Sequence, residues 1–160
     1  MKRWMAIGSA LAIACGAHAA DYVVIRHTAA VPGAPDTVWA RIGDYCGITK
    51  LLDVTCTYAS GSGDVGTVRA LNGGATLEPM IARTSRSYTY GQIAGGMKDF
   101  DYHGTLAVEP AGGGHSTIVY TIVYDQARMP SDEIRAAQRT RIEARFQSAV
   151  DKARELAETR

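Results

Sequence analysis

The 160-residue chain carries 17 basic and 16 acidic residues, a net charge of +1, and 46% of its residues are hydrophobic. That near-neutral balance, with no long run of like charge, argues against a nucleic-acid partner, because phosphate recognition rests on clustered Lys and Arg. No apolar run reaches the ~20 residues that a membrane-spanning helix needs, so no stable membrane span is expected.

Lys2 and Arg3 open the chain, Trp4 to Ala14 is apolar or small, and Ala17-His18-Ala19 supplies the small-x-small pattern of a signal-peptidase site. The reading is a cleaved secretory signal over 1–19 and one domain over 20–160, bound for the periplasm or the medium. A competing lipoprotein reading, acylation at Cys15 after Ala12-Ile13-Ala14, lacks the usual Leu where Ala12 stands and needs a very short signal. Of three cysteines, Cys46 and Cys56 then remain as an even pair in an oxidising compartment. Their spacing matches no CxxC redox or metal motif and no histidine is near either. A structural disulfide closing a short loop is expected, worth on the order of 2–3 kcal/mol.

Tyr22 to Thr28 is rich in β-branched and aromatic residues and reads as a first strand, ended by Pro32, Gly33 and Pro35. Asp36 is placed to cap a short helix with Val38, Ile42 and Tyr45 on one face, and Ile48 to Leu52 adds another helical turn. Strands follow over Asp53 to Ser60, Val65 to Leu71, Thr76 to Thr84, Ser87 to Ile93, Phe100 to Glu109 and Ser116 to Asp125. Turns at Gly61-Ser62-Gly63-Asp64, Asn72-Gly73-Gly74, Gly95-Gly96 and Gly112-Gly113-Gly114 separate most of them. The chain closes on a long helix capped by Ser131, with Asp132 and Glu133 at the positive end of its dipole. Ile134, Ile142, Phe146, Ala149, Ala153 and Leu156 fall on one stripe of it, and Arg and Glu occupy a face read as solvated.

This order predicts an α+β fold in which a curved antiparallel sheet has its concave face covered by a single long helix. One helix across a wide sheet leaves a gap lined by apolar strand residues, so a cavity is expected.

The order and spacing of several short segments resemble the START-like (SRPBCC) helix-grip superfamily, in its polyketide cyclase/dehydrase and lipid-transport group. They are Val38-Trp39-Ala40-Arg41-Ile42-Gly43-Asp44-Tyr45, Gly66-Thr67-Val68-Arg69, Leu77-Glu78, Tyr88-Thr89-Tyr90 and Ser116-Thr117-Ile118-Val119-Tyr120. Tyr120 stands where members often carry Trp, and the paired cysteines look like those of exported members. The resemblance implies about seven strands gripping the C-terminal helix around a hydrophobic tunnel. It implies no single chemistry, since the group spans carriers, binders and cyclases.

Within that frame, Arg69 and Glu78 flank the Asn72-Gly73-Gly74 turn and can meet across a hairpin. They are either a polar anchor inside an apolar cup or a cross-strand pair that fixes register. Tyr88, Tyr90, Tyr102, Tyr120 and Tyr124 crowd neighbouring strands, each offering a ring and one hydroxyl to a pocket for a ring compound, or simply packing. Tyr88 and Tyr90 share a face, as do Tyr120 and Tyr124. These seven residues are the candidate ligand contacts. His27, His103 and His115 show no metal-ligand spacing, no Gly-x-Ser-x-Gly surrounds a serine, and no phosphate loop is present, so neither metal nor cofactor is expected. The function expected is a binding or carrier protein for a hydrophobic small molecule, whether lipid, polyketide or other ring compound. The alternatives are a cyclase/aromatase-like enzyme, which needs titratable groups converging on the cavity, and an interaction module whose space is filled by bulky side chains.

Overall fold

A computed structural model describes residues 19–159; the expected signal segment and the alternative Cys15 site fall almost wholly outside them. Seven antiparallel strands form one sheet: β1 (Tyr22–Pro32), β2 (Cys56–Ser60), β3 (Val68–Leu71), β4 (Thr76–Thr84), β5 (Ser87–Gly91), β6 (His103–Gly112) and β7 (His115–Asp125). Their spatial order is β1-β7-β6-β5-β4-β3-β2. The chain therefore runs β1 at one edge and crosses through α1 (Pro35–Ile42) and a 3₁₀ turn (Cys46–Lys50) to β2 at the other edge. It then meanders back until β7 pairs with β1 along the full length from Tyr22↔Asp125 to Pro32↔His115. The long helix α2 (Asp132–Glu158) follows β7 and lies against β1, β7 and α1.

Irregularities in register at Tyr58/Ser60, Met80/Ala82 and Pro110/Gly112 interrupt the ladders. Extra residues of this kind bend a strand and increase its twist, which suits a sheet that must curl around a helix. On β7 the alternation puts Ile118, Tyr120, Ile122 and Tyr124 on one fully buried face, and Val119 on the other face is buried as well. The Tyr120 ring meets Phe146 of α2 edge-on, centroids 4.7 Å apart. Val38, Ile42 and Tyr45 are all buried, as their shared spacing requires.

Several boundaries differ from the sequence reading, each for a local reason. The first helix begins with Ala34 as its cap and Pro35 in its first turn, and Asp36 lies inside that turn. Proline is favoured there because its missing N–H would have no helical partner. The sixth strand starts at His103, since Asp101 takes a positive φ of 47° that ends any extension from Phe100. Asn72-Gly73-Gly74 forms a tight 3₁₀ turn between β3 and β4, with Gly73 at φ 68°. On α2, Ser131 does cap the helix, its hydroxyl accepting the Ile134 N–H at 3.3 Å. The buried stripe is Ile142, Phe146, Ala149, Val150, Ala153 and Ala157, while Ile134 is exposed and Leu156 half-buried. Cys46 and Cys56 are joined as a disulfide that ties the 3₁₀ turn to β2.

Candidate functional site

Between α2 and the β3–β5 part of the sheet lies an open cavity of about 230 Å³. Its apolar wall comes from Ile48, Leu52, Leu71, Met97, Ile142 and Phe146. The positions follow from the fold: the disulfide-tethered 3₁₀ turn brings Ile48, β3 brings Leu71, and one stripe of α2 brings Ile142 and Phe146. The Gly95-Gly96 break after β5 lets the chain turn over the opening and bring in Met97, whose N–H is accepted by the Gln92 side chain at 2.7 Å. Gly95 needs its positive φ of 119° for this.

The polar floor is built around Arg69. Register places Arg69 of β3 directly opposite Glu78 of β4. Its Nη2 lies 2.7 Å and its Nε 2.8 Å from Glu78 Oε2, and its Nη1 donates to the Tyr45 carbonyl at 2.7 Å. The guanidinium is sandwiched between the Tyr45 and Tyr90 rings, its Cζ 4.3 Å from each centroid. The other Glu78 oxygen faces the Gln92 amide at 3.4 Å. Burial is the largest influence on Arg69 and opposes its charge, but the Glu78 carboxylate together with Tyr88, Tyr90 and Tyr120 outweighs it and holds the guanidinium well above its ordinary value. A buried ion pair stands only where its hydrogen bonds are satisfied in this way.

The tyrosines divide into two groups. Tyr90 and Tyr102 line the cavity, as do Arg69 and Glu78. Tyr88, Tyr120 and Tyr124 are buried beside it and do not line it. Tyr120 reaches it only through Tyr90, their hydroxyls 2.9 Å apart, and Tyr88 packs against Tyr45 and Tyr90. Burial pushes Tyr90, Tyr102 and Tyr120 well above the ordinary tyrosine value. All three are therefore neutral hydroxyls near pH 7, suited to donating to an uncharged oxygen and poorly suited to losing a proton.

Tyr45, Arg141 and Arg145 are among the site residues that the sequence alone does not assign to it. Tyr45 was recognised only as part of a helical face, yet it stacks on Arg69, and its hydroxyl donates to the Glu78 carbonyl at 2.9 Å. Arg141 and Arg145 sit on α2 beside Ile142 and Phe146 and line the opening. Their signal was present: two arginines four apart, each immediately preceding a residue of the apolar stripe. Among the described residues no group of three or more His, Cys, Asp or Glu gathers in a way that would hold a metal, and no helix is long and apolar enough to cross a membrane. His27, His103 and His115 lie on β1, β6 and β7, outside the cavity lining.

Sheet, gripping helix and the open pocket between them together define a helix-grip protein with a ligand-sized cavity. Residues 22–158 match the family described as polyketide cyclase / dehydrase and lipid transport, and the chain belongs to that family. No curated protein matches the sequence. Similar solved structures share the fold at low identity. Norcoclaurine synthase from Thalictrum flavum, solved in complex with dopamine and hydroxybenzaldehyde, is 20% identical with a TM-score of 0.65, covering 96% of each chain. A protein from Thermobifida fusca is 19% identical with a TM-score of 0.67, covering 83% of this chain and 94% of its own. A protein from Nitrosospira multiformis is likewise 19% identical with a TM-score of 0.65 over the same shares.

Proposed function

We propose that the protein is an exported binding or carrier protein for a hydrophobic ring compound, held between the sheet and α2. The observation that carries this reading is the cavity itself, open to solvent, with a wall of aliphatic, thioether and phenyl groups beside a polar lining of comparable extent that includes Arg69, Glu78 and Gln92. Size narrows the occupant. An engineered apolar cavity of ~150 Å³ accepts benzene, so about 230 Å³ suits a substituted ring or a small bicycle rather than a two-chain lipid.

The polar groups favour binding over cyclisation: Glu78 is committed to Arg69, and the tyrosines facing the cavity hold their protons more tightly than usual. Against a filled interaction module stands the cavity that Tyr88, Tyr120 and Tyr124 leave open beside them. Norcoclaurine synthase, on the same fold, was solved with two small aromatic molecules, which is in keeping with a ring-sized ligand here. Export and a single domain over 20–160 rest on the charged, apolar and small-x-small order of the first 19 residues and fit with the Cys46–Cys56 bridge.

The test is native mass spectrometry of the protein recovered from its own export compartment, followed by solvent extraction of anything bound. A stoichiometric ring compound is the expected result. A protein that emerges empty and also fails to bind a neutral polarity-sensitive dye overturns the reading.

A further inference from the structure

The opening of the cavity is electrostatically one-sided. Three arginines and one glutamate line it: Arg69, Arg141, Arg145 and Glu78. Arg69 and Glu78 neutralise each other on the floor, which leaves two positive charges at the mouth with no second acidic residue among the lining groups to balance them. Both are exposed, and neither forms an ion pair among the described residues, although the other three arginines of α2 do, in Arg135–Asp132, Arg139–Glu143 and Arg154–Asp151. Arg141 is steadied by the Gln138 side chain, its Nη2 donating to Oε1 at 2.5 Å. Arg145 is felt inside the cavity: burial drives the Tyr102 hydroxyl up, and the Arg145 charge acts on it in the opposite sense. One turn of helix separates the two residues, so both border the cavity from the same face of α2. Each offers a planar fork of donors that matches a carboxylate or phosphate.

We infer that the ligand is an amphiphilic anion: a ring buried against Ile142, Phe146 and Leu71, and a carboxylate or phosphate held at the mouth by Arg141 and Arg145. This rests on the binding-protein reading above and adds the charge of the ligand to it. The geometry separates the two ends of the molecule. The floor, where Arg69 is already satisfied, offers neutral hydroxyls to an uncharged oxygen. The mouth offers two unpaired cations that gain most from an anion partly withdrawn from water.

The experiment uses calorimetric titration of the purified protein with three probes of one size: 2-naphthoate, 2-naphthyl phosphate and the neutral 2-naphthamide. At least one anion should bind about tenfold or more tightly than the amide, as expected for one charge-assisted contact, and the anion preferred names the head group. The preference should shrink at high salt and disappear in Arg141→Gln/Arg145→Gln, where neither anion should bind more tightly than the amide. Equal affinity for all three probes, or a preference that survives in the double variant, overturns the inference and leaves the cavity reading standing. If none of the three binds, the inference falls, and mass spectrometry of the recovered protein with the dye titration above decides whether the cavity reading falls with it.

Discussion

Arg69 and Glu78 face each other across the β3–β4 pair with both side chains buried, Nη2 2.7 Å from Oε2. The pair both fixes register and forms the floor of the cavity. Removing one partner strands a charge in a site walled by tyrosine rings, so Arg69→Met or Glu78→Gln is expected to cost about 3–5 kcal/mol. Arg69→Met/Glu78→Met should recover much of that loss, because two apolar groups need no partner. Urea unfolding of the two single variants and the double variant gives the coupling. Strictly additive losses would show that the two residues do not act as a unit.

Gly104 is the second constraint on the site. A Cβ at this position would collide with the Tyr90 ring, and Tyr90 in turn covers Arg69 and meets the Tyr120 hydroxyl. Gly104→Ala is expected to destabilise by about 1–3 kcal/mol through overpacking and to weaken ligand binding as Tyr90 is pushed into the cavity. Gly96 also lines the cavity, but a Cβ there meets nothing within 4 Å. Gly96→Ala should therefore leave thermal unfolding close to wild type. Comparable losses in the two variants would mean that the Tyr90 contact is not what Gly104 protects.

The elements with strong periodicity were legible in the sequence. The alternation of Ile118, Tyr120, Ile122 and Tyr124 reads directly as a buried face because a strand has period two, and Ser131 marks the start of α2 by its chemistry. Arg69 and Glu78 could be paired because a short Gly-containing turn separates them. Which tyrosines touch the cavity was not legible. Tyr88 and Tyr90 share a face, yet only Tyr90 lines the opening, because the position of α2 along the sheet decides where the gap falls. Arg141 and Arg145 were read as solvated for a related reason. They border the apolar stripe, and a residue on that border faces water or cavity according to helix rotation, which periodicity alone does not supply.

The Cys46–Cys56 bridge spans ten positions in sequence and anchors the turn that carries Ile48 into the cavity wall. Cys46→Ser/Cys56→Ser is expected to lower stability by about 2–3 kcal/mol. Ligand affinity should fall with it, because the wall becomes free to move. Denaturant midpoints and titrations on oxidised protein and on the double variant check both effects. Unchanged affinity would show that the wall is held by packing alone.

Asp125 sets an acid-side dependence. Its Oδ1 accepts the Ala127 and Asp21 N–H groups, each at 2.9 Å, and these hydrogen bonds lower its carboxyl below the ordinary 3.8. A depressed folded value means that its stabilising contribution is complete above the unfolded value and is lost as pH falls through the folded one. The loss is therefore confined to pH below about 4. Asp125→Asn should be less stable than wild type at pH 7, and the gap should narrow by pH 2.5. Melting temperatures of the two proteins across that range are the measurement, and a gap that stays constant with pH would remove Asp125 from the acid response.

Filling the cavity separates binding from folding. Ile142 is buried and borders open space, so the extra atoms of Ile142→Trp can extend into the cavity. Stability should stay within about 1 kcal/mol of wild type, because the lost aliphatic packing is replaced by ring contacts. Two turns further along the same stripe, Ala149 is fully buried and lines no part of this cavity. Ala149→Leu should cost about 1–3 kcal/mol by overpacking. Binding reverses the order: Ile142→Trp should weaken 2-naphthoate at least about tenfold by occupying its space, whereas folded Ala149→Leu should bind nearly as wild type does. If Ile142→Trp binds normally, the ligand lies elsewhere. If it unfolds while Ala149→Leu does not, the space beside Ile142 is closed in solution.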